Sequence, residues 1–363
     1  MVAHANAIGN RMGSGDNALN LIRLVLAVLV IVSHAFPVGG YGPDPAIGGL
    51  GLGSFAVGGF FAISGYLITQ SRFRSDLKSY SIRRALRILP GYWACLFFTA
   101  VIASGLAGLV RGGWSAIEAA KFIGWNAVMV KAGGSDIGST LAGLPYSGAW
   151  NGSLWTLRFE VLCYIVVGVA LLVSFVRQQR AVFPAAFAGA TAGSLAVHAA
   201  DIGGIPADLA LLVPFFLAGA TIHAYADKIP CNNAMAFAAC GALLVVLAVG
   251  QGKSLSALPV AYLLLWLGLV IPKPLAALCK TDDFSYGTYL YAFPMQQWLV
   301  IGGAAQFGPT AFIVFSILAT APFAVLSWFL VERPANNLFR PRRRPLYATA
   351  AASNNALSSN TAG

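Results

Sequence analysis

The apolar residues of this chain fall into long blocks that are separated by short polar segments. The blocks are about 16 to 24 residues long, which matches a helix that spans a hydrocarbon core of about 30 Å at 1.5 Å rise per residue. The pattern predicts ten spans, near residues 19–38, 54–71, 88–110, 154–176, 181–200, 207–225, 234–250, 256–271, 284–302 and 309–331. No remaining loop could hold a soluble domain. We therefore expect an all-α, polytopic bundle of transmembrane helices.

The composition supports this fold class, because 58% of the residues are hydrophobic and only 10% are charged. An ordinary soluble domain has roughly a quarter of charged residues, so a water-soluble fold is excluded. We divide the chain into an N-terminal segment 1–18, a transmembrane domain 19–335 and a tail 336–363. The tail is first basic and then small and polar, a composition that predicts disorder.

Lysine and arginine are distributed unequally between alternate loops. If the N-terminus is cytoplasmic, seventeen of them lie on the inner side and four, Arg111, Lys121, Lys131 and Lys253, on the outer side. Cytoplasmic loops are enriched in these residues, so we expect both termini inside and a location in the inner membrane. The net charge of +11 then follows from topology, and we expect no nucleic-acid binding. The run Arg340–Arg344 is predicted to contact anionic lipid headgroups.

Few ionisable side chains fall within the predicted spans, where each costs at least about 2.5 to 3.5 kcal/mol. Arg23 and His34 are eleven residues apart in the first span, which places them on one helix face about 16 Å apart along the axis. This face is predicted to line a polar path. In the alternative, Arg23 extends to the inner headgroups and His34 caps the helix end. Glu160 and Arg158 begin the fourth span. The alternative to a functional role for Glu160 is a salt bridge with Arg158 or Arg23 that only neutralises two buried charges.

Three arginines, Arg83, Arg84 and Arg87, lie in the predicted inner loop between the second and third spans. In helical form Arg84 and Arg87 are neighbours, and guanidinium groups bind phosphate oxygens two at a time. Coenzyme A carries several phosphate charges and is cytoplasmic, so we expect an acyl-CoA site here. The alternative is a topogenic cluster without a ligand. The preceding span contains glycines and Ser64, which are predicted to allow close helix contact.

The five cysteines indicate neither a disulfide framework nor a metal site, because they lie in spans or inner loops without ligand spacing. We expect no metal and no permanently bound cofactor. The triplet Ser33-His34-Ala35 resembles a signal-peptidase site. Cleavage there would keep the same orientation, so the charge distribution does not decide this point.

Six runs in order resemble the acyltransferase-3 family of membrane acyltransferases, which includes O-antigen acetylases and nodulation-factor acyltransferases. The runs are Asn20–His34, Phe60–Thr69, Arg83–Trp93, Ser153–Tyr164, Ser285–Pro294 and Ser327–Pro334. The resemblance covers residues 19–335. It implies transfer of an acyl group to a sugar hydroxyl, commonly with acetyl-CoA as the donor substrate.

The resemblance also implies roles for individual residues. The functional histidine of the family corresponds to His34 and the arginine of its first helix to Arg23. Its Arg-x-x-Arg pair corresponds to Arg84 and Arg87, which are expected to bind acyl-CoA, and its fourth-span glutamate corresponds to Glu160.

Two positions depart from the pattern of the family. Many members have a histidine where this chain has Ala292, and an acidic residue where it has Asn20. Neither position carries the expected chemistry, although Ala292 bears on the choice of acceptor.

An alcohol is a poor nucleophile until its proton is removed, and a neutral imidazole suits that task near physiological pH. We expect His34 to take this proton, while Glu160 or an equivalent polar group fixes the imidazole tautomer. Arg23 is expected to stabilise the thioester oxyanion or to guide the donor. Residues expected to bind substrate are Ser64, Trp155 and Tyr164.

The acceptor class implied by the resemblance is a cell-envelope or exported carbohydrate, such as O-antigen, exopolysaccharide or lipo-oligosaccharide. Direct transfer and an acyl-enzyme intermediate both remain open. The main alternative function is a secondary transporter of a small polar or anionic solute. Transporters often contain an internal repeat, which is not evident between the two halves, and the arginine cluster is expected to lie outside the bundle.

Overall fold

The computed structural model describes residues 7–13, 17–129 and 136–339. The run Arg340–Arg344, the polar tail after it and the first six residues therefore lie outside the described residues. Most of the described chain is helical. Within these ranges the only strands are Ala46–Ile47 (β1) and Leu50–Gly51 (β2), which pair as an antiparallel hairpin.

The helices within these ranges are, in chain order, α1 Ile8–Gly13, α2 Leu19–Gly39, α3 Leu52–Phe73, α4 Leu77–Phe97, α5 Ser104–Arg111, α6 Ala116–Ala127, α7 Trp155–Ala170, α8 Ser174–Gln178, α9 Val182–Ala199, α10 Ile205–Ala224, α11 Asn233–Ala248, α12 Gly252–Leu255, α13 Ala257–Val270, α14 Lys273–Ala277, α15 Ser285–Ile301, α16 Gly308–Ser327 and α17 Arg333–Asn337. Two π-helical segments continue α4 and α16, namely Phe98–Ala103 and Trp328–Glu332. A 3-10 turn, Ala304–Phe307, precedes α16.

Each of the ten apolar blocks corresponds to a helix. In the described part of the chain, six helical runs are long and apolar enough to cross a membrane: Leu19–Gly39, Leu52–Phe73, Leu77–Arg111, Val182–Ala199, Ile205–Ala224 and Ala304–Asn337. Helices α11 and α13 are apolar but shorter. The all-α architecture is confirmed, and its apolar helices are those of a multi-pass membrane protein. The count of ten spans and the position of the termini remain predictions.

Helix α2 packs against α3, α13, α15 and α16. It carries Arg23 close to its first residue and His34 close to its last. We call the corresponding ends of the bundle the arginine end and the histidine end.

The backbones of α3 and α10 approach each other closely at two glycines. A Cβ atom added to Gly65 would lie 1.9 Å from the carbonyl oxygen of Phe216, and one added to Gly219 would lie 2.0 Å from that of Ala62. Only glycine permits this contact, so these glycines have the packing role that the sequence predicts. The crossing also fixes the adjacent Ser64 on α3.

The arginine cluster lies on a helix and not in a loop. Asp76 begins α4 by accepting a hydrogen bond from the backbone N–H of Ser79 at 2.9 Å. The helix therefore starts at Leu77 and not near residue 88. Arg84 and Arg87 lie on its second and third turns, against the rest of the bundle. The prediction that this cluster lies outside the bundle is wrong.

The connection from α2 to α3 folds back over the histidine end. Gly40 adopts the left-handed conformation that ends α2, and the β1–β2 hairpin follows. The backbone N–H of Gly252 donates to the carbonyl of Gly48 at 3.0 Å, which attaches the hairpin to α12. Asp44 accepts a hydrogen bond from the N–H of Gly53 at 3.1 Å. The loop thus holds a carboxylate at the start of α3.

Candidate active site

His34 is half-buried near the end of α2. Its Nδ1 atom is 3.5 Å from the hydroxyl oxygen of Ser153, which is the outer limit of a hydrogen bond. The ring of Phe293 meets the imidazole edge-on, with 5.1 Å between centroids. The imidazole therefore has an aromatic wall on α15 and a hydroxyl neighbour just before α7.

Asp44 is a second acidic candidate near His34, and the sequence analysis did not single it out. A Cβ atom added to Gly53 would lie 3.4 Å from Oδ2 of Asp44 and 2.6 Å from Oγ of Ser33. The carboxylate therefore lies close to the residue that precedes His34. One carboxylate oxygen accepts the Gly53 hydrogen bond, whereas Oδ1 is buried and has no hydrogen-bond partner among the described residues. A buried, unsatisfied carboxylate oxygen is unfavourable, and a protonated imidazole nearby reduces that cost. Asp44 is thus placed to stabilise the imidazolium.

Hydroxyl groups extend from His34 into the bundle. The Tyr289 hydroxyl on α15 donates to the carbonyl oxygen of Ser153 at 2.6 Å. Its oxygen is 2.5 Å from Oγ1 of Thr156 on α7. Tyr289, Ser153 and Thr156 are all buried. Together they line a polar path that leads from the histidine end toward the middle of the bundle.

Glu160 lies one turn beyond Thr156 on α7. Its Oε1 atom accepts hydrogen bonds from the hydroxyls of Ser64 at 3.0 Å and Tyr164 at 2.5 Å. Ser64 and Tyr164, which are both expected to bind substrate, therefore fix the position of the Glu160 carboxylate. No hydrogen bond joins Glu160 to His34 in the described ranges, so its expected orienting role would need an intermediary. The hydroxyl beside the imidazole belongs to Ser153.

Arg158 lies two residues before Glu160 in sequence and pairs with a different residue. Arg158 forms an ion pair with Asp208 at 3.2 Å, and its guanidinium carbon lies 4.5 Å from the centroid of the Phe159 ring. Among the described residues no ion pair includes Glu160, so the alternative in which Glu160 merely neutralises an arginine is not observed. Trp155 packs edge-on against Phe159 at 5.9 Å. Trp155 does not border the cavity that Ser64 and Tyr164 line beside the arginines.

Two guanidinium groups converge on one carboxylate at the arginine end. Nη1 of Arg23 and Nη2 of Arg87 lie 2.7 and 2.5 Å from the same oxygen of Asp283. The other Asp283 oxygen accepts from the N–H and the hydroxyl of Ser285, at 3.2 and 2.5 Å. Arg87 also lies 3.5 Å from Oε2 of Glu332. These residues form a compact charged cluster.

Asp283 lies in the connection before α15, outside the membrane-spanning helices. Burial by itself raises the pKa of its carboxyl group, but the guanidinium groups of Arg23 and Arg87 and the hydrogen bonds from Ser285 lower the pKa to about 2. The carboxylate therefore keeps its charge at physiological pH.

Arg84 faces the same space without such a partner. Its Nε atom is buried and makes no hydrogen bond to any described residue. Arg23, Arg84 and Arg87 border a cavity of about 50 Å³ together with Glu160. The structure thus arranges the expected arginine pair and Arg23 around one cavity, while Asp283 already binds two of the three.

A second cavity of about 30 Å³ separates this cluster from the hydroxyl path, and Arg23, Glu160, Thr156 and Tyr289 border it. One water molecule needs about 10 to 15 Å³ of such space, so both cavities admit a few waters but not a thioester arm. An acyl arm can pass only if side chains move. Among the described residues, no group of three or more His, Cys, Asp and Glu side chains is arranged to hold a metal ion.

Two acidic residues of the cluster were missed at the sequence level. Asp283 directly precedes the predicted span 284–302, and Glu332 directly follows the predicted span 309–331. A charge at the end of an apolar block resembles an ordinary interfacial residue. The side chain of Glu332 is nevertheless fully buried. Its place on a π-helical segment continuous with α16 is the local feature that turns it inward.

The chain is similar to known sequences. Residues 16–331 match the family model Acyl_transf_3, described as an acyltransferase domain. The chain belongs to the acyltransferase-3 family. The "O-acetyl transferase" of Shigella phage Sf6 is 31% identical over 332 residues, covering 88% of this chain and 95% of the relative. "Nodulation protein 10" of Rhizobium leguminosarum bv. viciae is 27% identical over 376 residues, covering 91% and 96%. No solved structure matches the chain significantly.

This acyltransferase-3 protein is accordingly an enzyme, an acyltransferase, and the family expected from the six sequence runs is confirmed. The match includes both ends of the bundle, because Arg23, His34, Arg87 and Glu160 all lie between residues 16 and 331.

Proposed function

We propose that this acyltransferase-3 protein is an O-acyltransferase of the inner membrane that uses cytoplasmic acyl-CoA. The acceptor is a hydroxyl group of a cell-envelope or exported carbohydrate, of the O-antigen, exopolysaccharide or lipo-oligosaccharide class. Acetyl-CoA is the proposed donor, and the name of the Shigella phage relative, "O-acetyl transferase", supports acetyl as the transferred group. Membrane lipids surround the bundle, and coenzyme A binds as a substrate and not as a resident cofactor.

The observation that carries this proposal is the arrangement along α2. Arg23 and His34 lie at opposite ends of one helix, about 16 Å apart along its axis. Buried hydroxyls connect the surroundings of His34 with the cavities beside Arg23. An enzyme that takes a donor from one side of a membrane and an acceptor from the other needs such a separation.

At the arginine end, the proposed ligand is the phosphate region of acyl-CoA. Arg84 and Arg87 supply guanidinium forks, which match phosphate oxygens. Arg23 lies about 16 Å from His34 along the helix axis, too far to stabilise an oxyanion there. Of the two roles expected for Arg23, guidance of the donor therefore fits the geometry.

At the histidine end, the proposed step is acyl transfer. The acceptor oxygen forms a bond with the thioester carbonyl carbon while neutral His34 takes the hydroxyl proton. The carbon–sulfur bond then breaks, and the imidazolium returns the proton to the leaving thiolate. The Asp44 carboxylate stabilises the transient imidazolium. An acyl-enzyme remains the alternative route for carrying the acyl group along the path.

Purified protein in proteoliposomes provides the test, with acetyl-labelled acetyl-CoA supplied with and without glycan from a deletion strain. We expect glycan-dependent release of coenzyme A and label on the glycan. Transport of intact donor without coenzyme A release would contradict the proposal. Mass comparison of glycans from deletion and complemented strains would then identify the acyl group and the modified sugar.

A further inference from the structure

Asp283 occupies an unusual position for a structural carboxylate. One of its oxygens accepts from both Arg23 and Arg87, and the other accepts from both donors of Ser285. Its side chain is only 9% exposed. The Asp283 carboxylate therefore occupies the position at which both guanidinium groups direct an N–H.

A phosphate group is the natural competitor for that position. Carboxylate and phosphate oxygens both accept charge-assisted hydrogen bonds from guanidinium groups, and Arg23 and Arg87 each direct one nitrogen at Asp283. The adjacent cavity of about 50 Å³, which Arg84 also borders, gives a phosphate room to approach. Because Asp283 already binds Arg23 and Arg87, a phosphate that pairs with all three arginines takes over its contacts.

We propose that Asp283 is an internal competitor of the donor: a phosphate of acyl-CoA displaces its carboxylate from Arg23 and Arg87, and the carboxylate returns when coenzyme A leaves. This inference rests on the proposed function, because it assumes that acyl-CoA binds at the arginine end. Asp283 is then a positioning residue that sets donor affinity and does not touch the reacting atoms.

The competition has a direct consequence for turnover. Acyl-CoA and the product coenzyme A carry the same phosphates, so three unopposed arginines would hold the product as firmly as the donor. Asp283 is held by the chain just before α15. Its carboxylate can therefore replace the departing phosphate without first diffusing to the site. It weakens the binding of both ligands and speeds product release.

The test is equilibrium binding of coenzyme A to the purified full chain, together with steady-state kinetics. Asp283→Asn should lower the Kd for coenzyme A by at least about tenfold, with lower KM and lower kcat. Asp282→Asn is the matched control, because it removes one charge from the neighbouring residue. Asp282 instead accepts from Trp328 at 2.8 Å and lies 3.9 Å from Arg333, so its variant should bind as wild type does.

Loss of a buried partner is destabilising, so a second variant keeps the test decisive if Asp283→Asn does not fold. Ser285→Ala retains the charge of Asp283 but removes one of the donors that hold it. We expect Kd for coenzyme A to fall about two- to threefold.

Unchanged or weaker binding by Asp283→Asn, or by Ser285→Ala where only that protein folds, would overturn the competitor role. A wild-type protein that does not bind coenzyme A would instead reject the proposed donor. The two failures are therefore distinguishable.

Discussion

The arginine end and the histidine end solve opposite electrostatic problems. At the arginine end, Asp283 accepts four hydrogen bonds and binds two guanidinium groups. At the histidine end, one oxygen of Asp44 is buried without a hydrogen-bond partner among the described residues, and the imidazole of His34 has only a long contact with Ser153. The Asp283 carboxylate has hydrogen-bond partners on both oxygens, whereas the Asp44 carboxylate lacks one on Oδ1 in the described part of the chain.

The difference fits the roles proposed for the two ends. A binding site for a charged ligand can keep permanent ions, provided that an internal partner stabilises them between binding events. A general base must change its protonation state in each cycle. A direct ion pair with His34 would favour the protonated imidazole at all times, whereas a nearby carboxylate assists the imidazolium without fixing it.

The largest expected effect concerns which side each end faces. Cysteines introduced separately at Ser75, beside the cap of α4, and at the exposed Ser139 should label from opposite sides of the membrane. In intact cells, a membrane-impermeant thiol reagent should label only Ser139→Cys, and Ser75→Cys should label only after permeabilisation. Wild type reports background from the native cysteines. Labelling of Ser75→Cys in intact cells would reverse the orientation and remove the cytoplasmic donor site.

The next largest effect should come from His34. His34→Gln and His34→Ala should insert and fold normally but lose at least about a hundredfold in acylation rate, since a general base contributes about 10² to 10⁴. Gln is the sharper probe, because it keeps hydrogen bonding without basicity. His198→Gln is the matched control, since the Nδ1 atom of His198 also contacts a serine, Ser254, at 3.1 Å. A fully active His34→Gln enzyme would rule out the base and leave His34 as a helix-end residue.

Asp44 should contribute less than His34, because it acts through the imidazole. Asp44→Asn is expected to lower the acylation rate about tenfold, the size of one charged interaction. In a His34→Gln background the same change should have almost no effect, because there is no imidazolium to stabilise. Additive losses in the double variant would show a separate structural role. Asp201→Asn, in the loop between α9 and α10, serves as a charge control.

Arginine geometry should matter at the other end. Arg84→Lys and Arg87→Lys keep the charge but lose the fork, so both should raise KM for acyl-CoA by about tenfold. Arg87→Lys should also lose thermal stability, since Arg87 contacts Asp283 and Glu332, whereas Arg84→Lys should not. Arg83→Lys is the neighbouring control. Wild-type kinetics in both variants would leave the cluster as a topology signal only.

The smallest effect is expected for Glu160. Glu160→Gln retains an oxygen that can accept from Ser64 and Tyr164, so we expect only an about two- to fivefold loss of acylation. Tyr164→Phe should give a similar loss by removing one of the same hydrogen bonds. A loss as large as that of His34→Gln would mean that the charge of Glu160 takes part in the chemistry.

The fold was largely predictable because apolar block length directly reflects helix length in a membrane. The exception is α4, whose first turns carry arginines and therefore do not read as an apolar block. Asp76 is the sequence feature that indicates the start of α4, because aspartate is a preferred N-cap and here accepts from the backbone N–H of Ser79. Membrane hydropathy alone does not register such caps, so the start predicted near residue 88 lies about half of α4 too late.

The site was predictable where helix periodicity determines it and not elsewhere. The shared face of Arg23 and His34 follows from their spacing on one helix. Their partners do not, because Asp283 and Asp44 lie in connections that tertiary packing brings to α2. No local pattern reports a pairing between residues 23 and 283, which are far apart in sequence.

The π-helical segment Trp328–Glu332 makes the length of this part of the chain matter more than its composition. A π-helical turn contains one more residue than an α-helical turn, and each residue of an α-helix advances by 100°. Shortening the segment by one residue would restore a regular helix and rotate Glu332 away from Arg87. An apolar change at the exposed Leu330 would therefore leave Glu332 in place, while insertions and deletions would change which side chain faces the arginines.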